Sequence, residues 1–158
     1  WRLAPQLSKV VKMVYTPPIT LIHGDLKLIN MFFDDSVVDP PKVVVYDWQA
    51  LRAAKAALDV SYFISSNLST ETRRSVEQQL FKSYHLSLID EGVKNYSYDE
   101  LMYDVRVAML PRLTQRINSI VVSGKAMMAT EQGLANTRSL VESLQTLIDW
   151  NCEEVIPK

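Results

Sequence analysis

Glycine is scarce in this chain: Gly24, Gly92, Gly124 and Gly133 are its four, scattered over 158 residues. No glycine-rich loop able to cradle phosphate oxygens on backbone N–H groups therefore lies within it. Cysteine is scarcer. Cys152 stands alone, which excludes an internal disulfide and fits a reducing compartment, read here as the cytoplasm. Two histidines do not make a zinc site. Excess charge of either sign is lacking too. A formal net charge of −1 gives no electrostatic case for nucleic acid or an anionic membrane as partner. No apolar run approaches the roughly 20 residues of a transmembrane helix. The N-terminus has none of the charged-then-apolar layout of a signal peptide. The chain opens on Trp1 rather than Met, the mark of a processed product, an excised domain or an incomplete sequence.

What is present is a globular composition, 47% apolar and 22% charged, with length for one domain and one core. Residues 3–14 carry Leu3, Leu7, Val10, Val11 and Val14 at helical spacing, and Thr16-Pro17-Pro18 ends that pattern. Ile19 to Ile22 reads as a short extended piece. Met31–Phe33 and Val43–Tyr46 are β-branched or aromatic runs separated by loop chemistry, which predicts an antiparallel hairpin packed onto helices. Helices are then expected over Leu58–Leu68, Ser69–Ile89, Ser97–Val122 and Glu131–Trp150. The second should turn Val76, Leu80, Tyr84 and Leu88 along one stripe. In the third, Ser97 and Glu100 have capping-box spacing, Ile117 continues the apolar face and Pro111 predicts a kink. The last should face Leu134, Val141, Leu144 and Ile148 inward.

The polar residues of "ITLIHGDLKLINMFFDD", residues 19–35, then acquire a geometry. Asn30 precedes the first strand of the hairpin and Asp47 follows the second. Antiparallel pairing brings those two ends together, and Asp25 lies in the loop feeding the first strand. Asn and Asp oxygens are hard ligands suited to Mg²⁺, which takes only one or two from protein. A separate carboxylate could accept the proton of an attacking hydroxyl. Asp25 and Asn30 are five residues apart, the spacing of an orienting Asp and a metal-holding Asn in kinase-type phosphoryl transfer.

"HGDLKLINMFF", followed by "VVVYDWQ" and "LDVSYF", resembles the aminoglycoside phosphotransferase and choline kinase-like superfamily. It is most similar to the ecdysteroid kinase-like branch. The resemblance covers about residues 19–63 and, as a set of spaced residues, is specific. It implies a mainly α (α+β overall) protein-kinase-like C-terminal lobe, with helices around a small hairpin that carries the catalytic loop. It implies ATP and Mg²⁺ as cofactors and phosphorylation of a hydroxyl on a small molecule. Asp25 is then the catalytic carboxylate, and Asn30 and Asp47 are the metal and cofactor ligands. His23 and Asp59 support the loop. The lobe would fill 1–158, with catalytic and metal loops at 19–49 and a helical subdomain at 55–155. The family's N-terminal lobe is absent from these residues, so the isolated chain is expected to bind ATP poorly and to be inactive. "RAAKAAL" at 52–58 stands where a Gly-Pro turn is usual. A second reading stays open: a non-catalytic, pseudokinase-like binding module.

Other polar residues receive ordinary expectations. Asp34, Asp35 and Asp39 belong to a solvated loop. His85 sits near a helix surface. Arg112 and Arg116, one turn apart, either face a substrate cleft or, the favoured reading, lie on a solvated or ion-paired face. Trp48 packs under the metal loop, and Cys152 is a helix-end residue without redox role. The substrate is not encoded in helix patterns.

Overall fold

The computed structural model describes residues 2–34, 36, 42–128 and 130–158, excepting the side chains at 123, 125–128 and 132. Asp35 and Asp39 lie outside the described residues. The architecture is mainly helical. α1 (Leu3–Met13) leads through two prolines to β1 (Thr20–Ile22), then β2 (Met31–Asp34), β3 (Lys42–Val45) and β4 (Arg52–Ala54). α2 (Ala57–Asn67), α3 (Thr70–Asp90), α4 (Tyr98–Met128) and α5 (Glu131–Asp149) follow. None of the described helices is long and apolar enough to cross a membrane.

Two separate two-stranded ribbons form. β2 and β3 are the expected hairpin, in register Met31↔Val45 to Asp34↔Lys42. The other joins β1 to β4 antiparallel, with Ile22 opposite Arg52. β4 went unforeseen because Arg52-Ala53-Ala54 has neither alternation nor β-branching. It pairs because the chain from β1 returns alongside itself after the hairpin. Among the described residues, neither strand of the hairpin packs extensively on a helix, contrary to expectation. Phe32 and Phe33 are 62% and 50% exposed, so β2 is not the buried strand that its aromatic content suggested. Phe32 stacks instead on Tyr46 within the ribbon.

α4 is the axis of the helical part, touching α1, α2, α3 and α5. Its residues 107–110 are buried in succession, the signature of a helix enclosed on all sides. Around it sit Val10 and Val14 of α1, Leu58 and Ile64 of α2, and Phe81 of α3. The Ser97–Glu100 capping box forms as expected, with Glu100 N–H on Ser97 Oγ at 3.2 Å and Ser97 N–H on the Glu100 carboxylate at 2.7 Å. Helical φ/ψ run through Pro111 and fail at Gly124, where φ is 73°. The break falls just past Val122, where this helix is expected to end at Ser123-Gly124, on the one residue type that takes positive φ without strain.

The predicted faces of three helices need correction. Leu134, Val141, Leu144 and Ile148 of α5 are 41–67% exposed. The inward face carries Gly133, Ser143 and Thr146. Leu80 of α3 and Ile117 of α4 are likewise exposed, whereas Arg73 and Phe81 are the buried residues of α3. Cys152 is buried as a core side chain, and that burial pushes its thiol up to about 12. A thiol so protonated is inert as a nucleophile.

Buried ions tie the helices together. Lys55 Nζ meets Asp104 at 2.9 Å and also donates to the Pro17 carbonyl, while the Tyr96 hydroxyl donates to Asp104. Arg73 bridges Glu77 and Asp149, and Arg74 adds a two-pronged contact to Asp149. The Arg74 guanidinium holds the Asp149 carboxyl well below the usual carboxylate range. Arg73 and Gln145 assist, against burial that pushes it up. A depressed folded-state value means stability present above an unfolded value of about 3.9 and lost as pH falls below it. The urea midpoint is therefore expected to fall between about pH 4 and pH 2. Asp149→Asn should start lower at pH 7 and lose less over that acid interval; equal acid sensitivity in both proteins would exclude Asp149 as the source.

Candidate active site

The loop after β1 turns on Gly24. Its φ is +86°, and a Cβ there would stand 2.3 Å from Arg52 Nη1 and 2.4 Å from the Ala50 carbonyl. Only glycine fits so close to β4. The flanking N–H groups have a dedicated acceptor. Asp59, in the first turn of α2 and 8% exposed, takes His23 N–H on Oδ2 at 2.6 Å and Gly24 N–H on Oδ1 at 2.9 Å. Charge-assisted bonds of this kind are about twice as strong as neutral ones.

His23 is buried, and its ring sets the next residue. Nδ1 accepts the Asp25 N–H at 3.2 Å, so Nε2 carries the proton and donates to the Tyr46 carbonyl at 2.8 Å. The ring thus spans from the Asp25 loop to the end of the hairpin, with Trp48 against its face at 4.7 Å. Trp48 itself is half exposed and donates to the Val45 carbonyl.

The hairpin brings Asn30 and Asp47 to one end. Tyr46 N–H donates to the Asn30 carbonyl at 3.0 Å, directly before Asp47. Asn30 is 5% exposed. Its Nδ2 donates to the Asp25 carbonyl at 2.9 Å and to Asp25 Oδ2 at 3.3 Å. With the amide nitrogen so engaged, Oδ1 is the side chain's remaining acceptor. Asp47 is exposed and left-handed, φ 66°, with Gln49 Nε2 at 3.5 Å from its carboxylate. A non-glycine residue in that region is uncommon, although Asp tolerates it best.

Asp25 therefore sits between the loop and the helices with its side chain about a third exposed. Lys27 Nζ lies 2.9 Å from Oδ2. Burial pushes the Asp25 carboxyl up, but Lys27, Tyr62 and Asn30 outweigh it and hold it below the usual carboxylate range. It is ionised at neutral pH, which suits a carboxylate that orients a hydroxyl better than one that strips its proton early.

Asp25, Asn30 and Asp47 are thus brought to one end of the hairpin, with His23 and Asp59 behind them. Lys27, Tyr62 and Arg112 were missed as parts of the surroundings. Lys27, two residues from Asp25, was legible from proximity. Arg112 was not. It is 4% exposed, ion-paired with Asp59 at 3.9 Å rather than solvated, and its Nη2 donates to the Gly24 carbonyl at 2.9 Å. Arg116 is part-buried, reaching Ser139 of α5 and the Tyr62 ring. His85 is part-buried too, 2.8 Å from the Tyr96 carbonyl.

A model of the ecdysteroid kinase-like family matches residues 2–98 of the chain. The matched span holds Asp25, Asn30, Asp47 and Asp59 and stops at the start of α4. No curated protein and no solved structure matches the chain. The chain belongs to the ecdysteroid kinase-like family.

Proposed function

We propose that this member of the family carries the catalytic and metal loops of an ATP-dependent kinase that phosphorylates a hydroxyl on a small molecule. In this reading the chain is the C-terminal lobe of a protein-kinase-like fold. The observation that carries it is the junction of Asn30 with Asp25, at the hairpin end that also presents Asp47.

Asn30 Oδ1 and the exposed Asp47 carboxylate fit Mg²⁺, which prefers hard oxygens and few protein ligands. Among the described residues no three His, Cys, Asp or Glu side chains cluster as a metal site by themselves, so phosphate and water would complete the shell. Mg²⁺, when bound, neutralises charge on the nucleotide's phosphates. Asp25 would hold the acceptor hydroxyl by its proton, aim an oxygen lone pair at the γ-phosphorus, and take the proton as the new P–O bond forms and the bond to the β,γ-bridging oxygen breaks, releasing ADP. His23 and Asp59 fix that aim through the backbone. The protein's share of catalysis is positioning and electrostatics.

Asn30→Ala and Asp47→Ala in the full-length protein are expected to lower Mg²⁺-dependent ATP turnover at least ~100-fold. Partial recovery should appear at higher Mg²⁺, and melting temperature should hold within a few degrees. The assay follows ATP consumption with water or a panel of small alcohols as acceptor. Wild-type turnover that ignores both substitutions, or no turnover at all, would favour the non-catalytic binding module.

A further inference from the structure

α4 lies beyond the residues matched by the family model except for Tyr98, yet it reaches the candidate site, through Arg112 above all and with Arg116 also at the Tyr62 ring. Arg112 makes four distinct approaches. Nη2 donates to the Gly24 carbonyl at 2.9 Å and stands 3.9 Å from Asp59 Oδ1. Nη1 donates to Gln115 at 3.0 Å. Its guanidinium carbon lies 4.3 Å from the centre of the Tyr62 ring. Tyr62, on α2, is one of the groups that hold the Asp25 carboxyl below the usual carboxylate range. One buried cation therefore grips the turn before Asp25 by its carbonyl and a neighbour of Asp25 by its ring.

We propose that Arg112 is a positioning residue that holds the Gly24 turn and the Tyr62 ring in the arrangement that aims Asp25. This rests on the reading of Asp25 as the catalytic carboxylate. A purely structural Arg would be expected to satisfy itself locally. Arg112 instead spends Nη2 on the Gly24 carbonyl, a partner from a loop far away in the sequence. A planar guanidinium lies over a ring while its rigid fork bonds a carbonyl, a geometry that a compact ammonium reproduces only in part. The carbonyl it grips and the two N–H groups held by Asp59 belong to the same turn. The turn is thus clamped on its donors from α2 and on an acceptor from α4.

The test uses the full-length protein with Mg²⁺ and ATP. Arg112→Met is expected to lower kcat about 30–100-fold with the KM for ATP within about threefold, since a 1 Å misplacement of a catalytic group costs about that much. Arg112→Lys should recover part of the loss. Tyr62→Phe, which keeps the ring and removes the hydroxyl, should lower kcat by about tenfold without loss of stability. Amide hydrogen exchange supplies a readout independent of turnover. In Arg112→Met the Gly24 and Asp25 amides should exchange at least ~10-fold faster over and above any rise shared by the core amides of α2 and α4. Wild-type kcat in Arg112→Met, or a rise at Gly24 and Asp25 no larger than that across α2 and α4, overturns the proposal. Should Asp25→Asn leave turnover unchanged, the reading of the site falls on its own, and the exchange pattern still decides whether Arg112 holds the turn.

Discussion

Asp25→Asn is expected to cut turnover of the full-length protein by about 10³-fold while leaving the folded state intact. The magnitude follows from what the substitution removes. Loss of a positioned proton acceptor costs about 10²–10⁴-fold. The carboxamide matches the carboxylate in size and can still bond a hydroxyl, but it carries no charge and cannot keep the proton. Folding should be spared because little of the fold depends on the side-chain charge. The Asp25 backbone supplies the bonds to His23 and Asn30. The Lys27 contact is between groups about a third exposed, and exposed ion pairs are worth only about 0–1 kcal/mol. Releasing Lys27 leaves it in reach of water. Turnover within tenfold of wild type, with unchanged melting, would remove Asp25 from the mechanism and leave the loop as a binding element.

The parts of this site legible in the sequence are those fixed by short-range geometry. The six residues from Asp25 to Asn30 form one loop and one short 3₁₀ turn, Leu28–Asn30. The pairing of Met31 with Val45 follows from two apolar runs joined by a polar loop, and with it comes the placement of Asp47 beside Asn30. What stayed hidden depends on tertiary contact. Arg112 has the periodicity of any helix-surface arginine, and nothing local marks its partner as Gly24. β4 exists only because β1 runs beside it.

α5 misled for a different reason. Hydrophobic periodicity pointed Leu134, Val141, Leu144 and Ile148 inward, yet Ser143 and Thr146 are the buried pair. Their hydroxyls are satisfied within the helix, Ser143 on the Ser139 carbonyl and Thr146 on the Glu142 carbonyl, both at 2.8 Å. On α2, Ser61 and Ser65 are buried with their hydroxyls on α2 carbonyls. Small side chains whose polar atoms bond their own backbone bury cheaply and let neighbouring helices approach. A scale that treats Ser and Thr as outward-facing cannot see that interface.

The largest stability effect should come from Asp59→Ala, expected to destabilise the chain by about 3–5 kcal/mol. The carboxylate is 8% exposed and is the acceptor for His23 and Gly24 N–H, with Arg112 at 3.9 Å. Truncation leaves two backbone donors unpaired, each worth about 1–3 kcal/mol when buried. It also leaves Arg112 without its countercharge. Water entering the hole offsets part of this, so the sum is set below the simple total. Against a total stability of about 5–15 kcal/mol for a domain, the loss should lower the melting temperature by about 10 °C, at a few degrees per kcal/mol. Asp59→Asn separates the acceptor count from the charge. Its oxygen can accept one N–H, while its amide nitrogen would face the other as donor to donor. It should therefore cost nearly as much as Ala despite matching Asp in shape. Combining Asp59→Ala with Arg112→Met should give less than the sum of the two losses, because each alone strands the other's charge. A cost under about 1 kcal/mol for Asp59→Ala, or strict additivity with Arg112→Met, would mean that the loop is held by something other than the Asp59 carboxylate.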